Sequence, residues 1–302
     1  TEEGYGEDPF LIGEMTTAYT QGMAGDHPTY RRVIPTLKHF CANNNEKERN
    51  SCSSNVTPRT LREYYYRAFE ASIVRGGTGS MMTAYNELSG VPACMNPDLK
   101  TLVKKQWGLE FVVTDGADFS QNVLAHHSHA THAEALAACL KNGNDVMTDE
   151  ADMVAAAARD ALDRGLLTEA DIDRAVGNSL SGRFRLGEFD GDSCPYNTEP
   201  AETDTLLHRA VNRCAAMEQM CLLHNRGILP LQLQPDARVA VIGPLGNENY
   251  RDWYTGVSSY AVPILEGLRQ QLGAENVLFD DGYSVVPFSV TYLPLQQARR
   301  FM

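Results

Sequence analysis

The stretch LEFVVTDGADFS, residues 109–120, decides the fold of this chain. Within it, FVVTD at residues 111–115 is predicted to be a strand, and its uninterrupted apolar run is typical of a parallel strand covered on both faces. Asp115 ends this predicted strand and Gly116 follows it. We therefore expect the Asp115 carboxylate at the carboxyl end of a parallel sheet, partly shielded from water.

Three further segments resemble strands, at residues 33–41, 80–86 and 145–148. Helical patterns separate them, and several begin with N-cap signals such as Thr57-Pro58. The predicted helices cover residues 57–75, 97–108, a segment that begins at 131, 151–164 and 168–185. Strands that alternate with helices at this spacing predict a parallel α/β fold. Four such units amount to about half of a (β/α)8 barrel.

A cluster of Gly, Pro and Asp at residues 188–200, EFDGDSCPYNTEP, predicts a linker between two domains. Residues 1–187 form the first predicted domain, and residues 201–302 begin a second α/β domain. In the second domain we expect helices at about 203–219 and 263–272. Its predicted strands are CLLHN, ARVAVIG and NVLFD.

Composition excludes some classes of function. The chain has 302 residues, with 26 basic and 39 acidic side chains and a formal charge of −13. This balance argues against nucleic-acid binding, which needs a positively charged surface. No apolar run approaches the ~20 residues that span a membrane, so we expect no membrane partner. A neutral substrate such as a sugar is compatible with this charge.

The seven cysteines are scattered, which favours buried thiols over a disulfide framework. Cys41 and Cys52 flank one polar loop and form the only pair considered for a bridge. The first residues, TEEGYGEDPFLIGEM, contain neither an initiator Met nor an apolar leader. They do not resemble a signal peptide, they suggest a processed or truncated chain, and they leave the compartment open.

Polar side chains lie at or just after the carboxyl end of each predicted strand, where parallel α/β folds place their chemistry. They are Lys38 and His39, Tyr85 and Asn86, Asp115, and Thr148 with Asp149. Asp115 could attack an anomeric carbon or simply cap the next helix, and its position alone does not choose between these roles. Asp118 is the competing carboxylate. The other strand-end groups could contact a sugar or serve in packing.

Four histidines in AHHSHATH, residues 125–132, suggest a metal site at first sight. They lack the HExxH pattern and any fixed carboxylate spacing, so we predict no metal there. The glycines of GPLGNE, residues 243–248, match neither the dinucleotide nor the phosphate-loop spacing.

Together these motifs resemble glycoside hydrolase family 3. TLKHF followed by Arg49 is similar to the family's sugar-binding block, and VVTDGAD to its nucleophile strand. The motifs that follow the same family order are EEGYGEDPFLIGEM, MMTAYNELSGVPACMNPDLKTLVKKQWG, RFRLGEFD, CLLHNRGILPL and VAVIGPLGN. The resemblance covers nearly the whole chain.

The resemblance implies the C-terminal half of a (β/α)8 barrel followed by the start of an α/β sandwich. It implies that Asp115 is the catalytic nucleophile of a covalent mechanism that needs no cofactor or metal. It also implies that four residues bind the sugar: Lys38, His39, Arg49 and Tyr85.

Three departures from the family pattern matter. Early barrel strands that carry an Asp and an Arg sugar ligand would precede Thr1. The acid/base Glu of the second domain would follow Met302, and Gly116 replaces a common Trp. We therefore interpret the chain as a central fragment whose activity alone is in doubt.

The expected function is a retaining, exo-acting β-glycosidase, with a small-molecule or oligosaccharide β-glycoside as its partner. The segment KHFCANNNEKERN differs from the KHFPGHG segment of the branch that acts on N-acetylglucosamine. A β-glucosidase is therefore favoured, with a β-xylosidase as the first alternative. A non-catalytic carbohydrate-binding relic, or an inactive fragment, is the alternative from another class.

Overall fold

The computed structural model describes residues 4–197, 203–234, 236–251 and 254–282. The chain divides into two units, Thr1–Thr198 and Glu199–Met302. The predicted division into residues 1–187, a linker at 188–200 and residues 201–302 stays a prediction, as do the barrel half and the sandwich.

A parallel sheet forms the centre of the first unit. It has the order β1, β3, β6, with β1 at Thr36–Phe40, β3 at Ser80–Thr83 and β6 at Phe111–Val113. Val146 extends it through one parallel bridge to Val113, where the sequence predicts a short strand. Spatial order therefore follows chain order, and all carboxyl ends meet at one edge of the sheet.

The α-helices of the first unit lie before, between and after these strands along the chain. In chain order they are α1 (Pro9–Ala24), α2 (Pro58–Thr60), α3 (Tyr66–Val74), α4 (Asp118–Leu124), α5 (His132–Lys141), α6 (Ala151–Asp163) and α7 (Glu169–Arg185). The predicted capping box at Thr168 and Asp171 begins α7. Likewise, the Thr57 hydroxyl accepts the Thr60 N–H at the start of α2. These local signals are confirmed because they act within one turn of the chain.

Several elements differ from the predicted ones. Helix α1 was not predicted, although Asp8 caps it and Pro9 occupies its first position. Leu61–Tyr65 and Leu99–Lys104 are π-helical turns within segments predicted as ordinary helices. A π-turn shifts the hydrogen bonds by one residue, which side-chain periodicity alone does not reveal.

A small second sheet fixes the polar loop after β1. Its strand β2 (Ser53–Ser54) pairs in parallel with β4 (Glu87–Leu88), which pairs with β5 (Val91–Pro92) in antiparallel. Cys41 and Cys52, at the two ends of the loop, are both free thiols. The loop is thus held by backbone pairing to the segment that follows β3.

Two apolar clusters flank the sheet edge that carries the polar residues. Phe40, Tyr66 and Val112 belong to the first, in which Phe40 stacks on Tyr66 with ring centroids 5.1 Å apart. The second joins Phe119 to α5, α6 and α7. Burying a side chain of this size stabilises the fold by roughly 1.5–3 kcal/mol. Both ends of the segment 109–120 are thereby anchored.

The second unit contains α8 (Leu206–Glu218), β7 (Val239–Ile242), α9 (Ile264–Leu272) and β8 (Val277–Asp280), and β7 pairs with β8 in parallel. The expectation of a strand at CLLHN, residues 221–225, is wrong, since the structure assigns none there. Instead the Asn225 side-chain oxygen accepts the N–H groups of Gly227, Ile228 and Leu229. These hydrogen bonds from the backbone to one side chain form a turn where a strand was expected.

None of the helices in the described ranges is long and apolar enough to cross a membrane.

Candidate active site

Asp115 lies two residues beyond the end of β6, at the edge where the parallel strands terminate. Its Oδ2 lies 3.1 Å from His39 Nε2, and the two side chains are 20% and 17% exposed. Its Oδ1 accepts the Gly116 N–H at 2.7 Å. The carboxylate is therefore oriented through both oxygens while it still reaches solvent.

His39 reaches Asp115 because β1 is irregular at this point. Leu37 pairs with Met81 and Phe40 with Thr83, so β1 carries one extra residue relative to β3. A bulge of this kind changes the direction of the side chains it contains. Lys38 stands beside His39 on β1 and is exposed.

The environment of Asp115 favours its ionised form. Burial by itself would raise the pKa of this carboxyl group. The hydrogen bond from His39, the Gly116 N–H and the neighbouring Tyr85 hydroxyl outweigh that effect, so the pKa lies below its ordinary value. Asp115 is thus a carboxylate at neutral pH.

Tyr85 and Arg49 form the next layer around the carboxylate. The Tyr85 hydroxyl donates to the Gly116 carbonyl oxygen at 2.7 Å. Arg49 lies over the Tyr85 ring at 4.7 Å from its centroid and also pairs with Glu46 at 2.7 Å. Burial, followed by the charge of Asp115, raises the pKa of Tyr85 to about 12, so the phenol stays protonated and can donate.

Asp118 has the opposite environment to Asp115. Asp118 is only 2% exposed. Thr83 Oγ1 donates to its Oδ2 at 3.1 Å. Burial, and then the charges of Cys94 and of the neighbouring carboxylates, raises the pKa of Asp118 well above its ordinary value. These surroundings favour the protonated form of Asp118 and shield it from solvent, so it is a poor candidate for the nucleophile.

His126 contacts the backbone of Tyr85. Its side chain is 1% exposed, with Nδ1 3.5 Å from Glu87 Oε1. Its Nε2 lies 2.7 Å from the Tyr85 carbonyl oxygen. Asn86 adds a second anchor, since its amide donates to the Cys41 carbonyl oxygen at 3.2 Å. The sequence pattern gave His126 no such role, because its contact lies 41 positions away.

The four histidines of the 125–132 segment have separate partners. His127 Nδ1 contacts the Val123 carbonyl oxygen, and His129 Nδ1 contacts the Ser128 hydroxyl. His132 packs against Phe119 with ring centroids 5.7 Å apart. Among the residues that the structure describes, no three His, Cys, Asp or Glu side chains are grouped to hold a metal ion.

The model of the glycosyl hydrolase family 3 N-terminal domain matches residues 1–181 of the chain. The chain belongs to glycosyl hydrolase family 3. Glycosyl hydrolase family 3 relatives match most of its length. A β-xylosidase of Formosa agariphila is 30% identical over 315 aligned residues, covering 97% of this chain and 44% of the relative. A β-glucosidase of Rhizobium radiobacter is 33% identical over 285 residues, covering 91% of this chain and 32% of the relative.

A solved family 3 structure has the same α/β fold. It is an exo-β-xylosidase in complex with a xylobiose aziridine activity-based probe, with a TM-score of 0.82 and 28% identity. The match covers 94% of this chain and 38% of the solved chain. The chain thus spans less than half the length of these family 3 relatives.

The five residues expected at a family 3 site are distributed as follows. His39 contacts Asp115, Tyr85 contacts the residue after Asp115, and Arg49 contacts Tyr85. Lys38 adjoins this group through the backbone of β1. The structure thus gathers the predicted residues at one sheet edge, while their catalytic and binding roles stay predictions.

Gly116 leaves space beside the candidate nucleophile. A Cβ atom built on it would meet only the Tyr85 hydroxyl, at 3.9 Å, which is an ordinary contact. The position therefore has room for a Cβ atom, and Gly116 is not required there by a close contact.

Proposed function

We propose that this protein is a retaining, exo-acting β-glycosidase in which Asp115 is the nucleophile. The observation that carries the proposal is the contrast between two carboxyl groups at the same sheet edge. Asp115 is ionised, oriented by His39 and partly accessible, whereas Asp118 is buried in surroundings that raise its pKa and favour the protonated form. Retaining glycosidases need a carboxylate of the first kind.

The proposed reaction has two steps. A carboxylate oxygen of Asp115 attacks the anomeric carbon, and the bond from that carbon to the aglycone oxygen breaks with its electron pair on the oxygen. That oxygen takes a proton from a carboxylic acid, which in retaining enzymes lies about 5–5.5 Å from the nucleophile. Water then attacks the same carbon, its proton returns to the acid/base group, and Asp115 is released.

Asp118 is not suited to the role of the proton donor, although it is protonated. The residue is only 2% exposed, so its carboxyl group has little access to an aglycone oxygen of a bound substrate. Its oxygen also accepts from Thr83, which ties it to β3. The proposed acid/base residue is therefore a separate group.

Four side chains are proposed to hold the sugar. Lys38, His39 and Arg49 would donate to its hydroxyl groups, since all three carry nitrogen donors at the same edge. Tyr85 would supply an aromatic face and a phenol whose pKa of about 12 keeps it a donor. His39 would then serve twice, because it also contacts Asp115.

We also propose the finer architecture. The parallel order β1, β3, β6 and the bridge to Val146 fit four consecutive strands of a (β/α)8 barrel. The parallel pair of β7 and β8 with the intervening α9 fits the start of an α/β sandwich. The similarity to a solved family 3 enzyme, with a TM-score of 0.82, supports both assignments.

The substrate is proposed to be a terminal β-D-glucoside, as the sequence motifs favour. A β-D-xyloside is the second candidate, because the Formosa agariphila relative is named a β-xylosidase. The ratio of kcat/KM for 4-nitrophenyl β-D-glucoside and β-D-xyloside distinguishes them. A ratio above one supports the glucoside, and a ratio below one supports the xyloside.

Covalent trapping tests the nucleophile directly. A 2,4-dinitrophenyl 2-deoxy-2-fluoro-β-glycoside has a leaving group that departs without protonation, so labelling needs no acid/base residue. We expect one added sugar on the peptide that contains Asp115, read by mass spectrometry. Asp118→Asn should still be labelled, and Asp115→Asn should not.

A label on another carboxylate would contradict the assignment. No label and no turnover with either sugar would favour the non-catalytic alternative.

A further inference from the structure

The turn that carries Asp115 contains a left-handed residue, and that residue does not cap the helix that follows. Ala117, which precedes α4, adopts the left-handed conformation with φ 59° and ψ 17°. A residue with a Cβ atom rarely adopts it without external support. Ala117 also has no side chain to cap α4, so the first N–H groups of that helix need partners from elsewhere.

Thr148 supplies part of this support from the segment that follows the Val146 bridge. Its carbonyl oxygen accepts the Ala117 N–H at 3.1 Å. Its hydroxyl lies 2.6 Å from the carbonyl oxygen of Asp115 itself. The hydroxyl of Thr114 lies 3.0 Å from that of Thr148 and accepts the Thr148 N–H at 2.9 Å. Thr148 therefore contacts the nucleophile turn on both sides of Gly116.

Asp149 supplies the missing helix cap. Its Oδ1 accepts the Ser120 N–H at 3.0 Å, and its Oδ2 accepts the Phe119 N–H at 3.2 Å. A carboxylate in this place also interacts favourably with the positive end of the helix dipole. Asp149 thus fixes the start of α4, to which the turn is attached.

We propose that Thr148 and Asp149 are positioning residues that hold the Asp115 turn in the geometry for attack. The proposal rests on the proposed function, in which Asp115 forms the covalent bond. Neither residue touches the Asp115 carboxylate in the contacts described, so they act through the backbone. Displacing a reacting group by about 1 Å can reduce the rate by roughly 100-fold, so this support bears on turnover.

Substitution of Thr148 or Asp149 should change kcat and not KM. The proposed sugar ligands lie on β1, on the loop after it and after β3, and the support comes from the loop after Val146. Loosening the turn should therefore change the approach of Asp115 and leave sugar binding intact. KM should stay within about twofold while kcat falls.

The pH dependence of kcat/KM should also shift in these variants. The groups that face Asp115 are His39 from β1, Tyr85 after β3 and Asp118 from α4. Arg49 lies behind Tyr85. If the turn moves, Asp115 loses hydrogen bonds that lower its pKa, so the acidic limb of kcat/KM should move to higher pH. A loss of stability alone would not move that limb.

Four variants of the protein test the proposal. Asp149→Ala should lower kcat by about 10- to 100-fold and Thr148→Val by about tenfold, because each removes one support. Asp149→Asn keeps one acceptor and should fall between Asp149→Ala and the wild type. Thr148→Ser keeps the hydroxyl and should therefore retain most of the wild-type kcat. Each is assayed for kcat, KM, the pH profile and Tm.

Thr168→Val is the matched control. Thr168 also follows a loop and its hydroxyl donates to Asp171 at 2.8 Å, in the capping box of α7. The variant should lower Tm while kcat and the pH profile stay unchanged.

The outcomes separate the two proposals. If trapping labels Asp115 but Thr148→Val and Asp149→Asn retain wild-type kcat and pH profile, the positioning role is wrong. Labelling of a different residue overturns the proposed function instead. A fall in kcat with an unmoved acidic limb and no rescue by Thr148→Ser would also reject positioning.

Discussion

Two aspartates three residues apart show how strongly the surroundings determine the chemistry of a carboxyl group. Asp115 lies two residues beyond β6, accepts hydrogen bonds through both oxygens and has a lowered pKa. Asp118 begins the next helix, lies 2% exposed and has a raised pKa. The surroundings therefore favour the anion at one position and the neutral acid at the other. Only the first has the charge and access that a nucleophile needs.

The largest expected effect comes from removing the charge at each position in turn. Asp115→Asn should reduce kcat/KM for an aryl β-glycoside by about 10⁴-fold or more, since covalent catalysis would be lost. Asp118→Asn should reduce it less than about tenfold, because Asn resembles the protonated acid already present. Steady-state kinetics on both purified variants measures the contrast. Similar losses in the two variants would remove the distinction between them.

An intermediate effect is expected from substitution of His39, which contacts Asp115. His39→Gln should lower kcat/KM by roughly 10- to 100-fold, the range of a hydrogen bond to a charged group. Asp115 is active as the carboxylate, so activity falls as pH drops through its pKa. Without the His39 hydrogen bond the pKa of Asp115 rises, so the acidic limb of the pH profile moves to higher pH. An unmoved limb in His39→Gln would show that this contact does not set the pKa.

The smallest effect concerns stability and arises from Asp118. Because its pKa is raised in the folded state, the folded protein keeps a proton that the unfolded chain releases above about pH 4. Ionisation therefore favours the unfolded state as pH rises. Asp118→Asn cannot ionise, so its Tm should exceed that of the wild type by a few degrees at pH 7.

The difference in Tm should shrink as pH falls towards 4, where the unfolded state is protonated as well. Thermal unfolding between pH 4 and pH 8 measures it. A constant difference over this range would indicate a packing effect and not a titration.

Local features of the fold were predictable because their causes lie within a few residues. The apolar run before Asp115 gives β6, and the Thr168–Asp171 capping box gives the start of α7. Helix α1 has a comparable local signal in Asp8-Pro9, an N-cap residue followed by proline, although the helix was not predicted from it. The strand expected at residues 221–225 was wrong because strand formation depends on a partner that the segment itself does not contain.

The family and the set of candidate residues were likewise predictable from motifs. Membership of glycosyl hydrolase family 3 is confirmed by the match over residues 1–181. The position of Asp115 after an apolar strand did not by itself separate a nucleophile from a helix cap. Its environment in the fold makes that difference.

By itself, therefore, the sequence determined the family, the order of strand-end polar residues and the local caps. The tertiary structure decided which of these residues meet: His39 with Asp115, Arg49 with Tyr85, and Asp149 with the start of α4. It also decided that Asp118 is buried, which raises its pKa. The physical reason is that burial and electrostatic fields sum over groups brought together from distant parts of the chain, and no local pattern contains that sum.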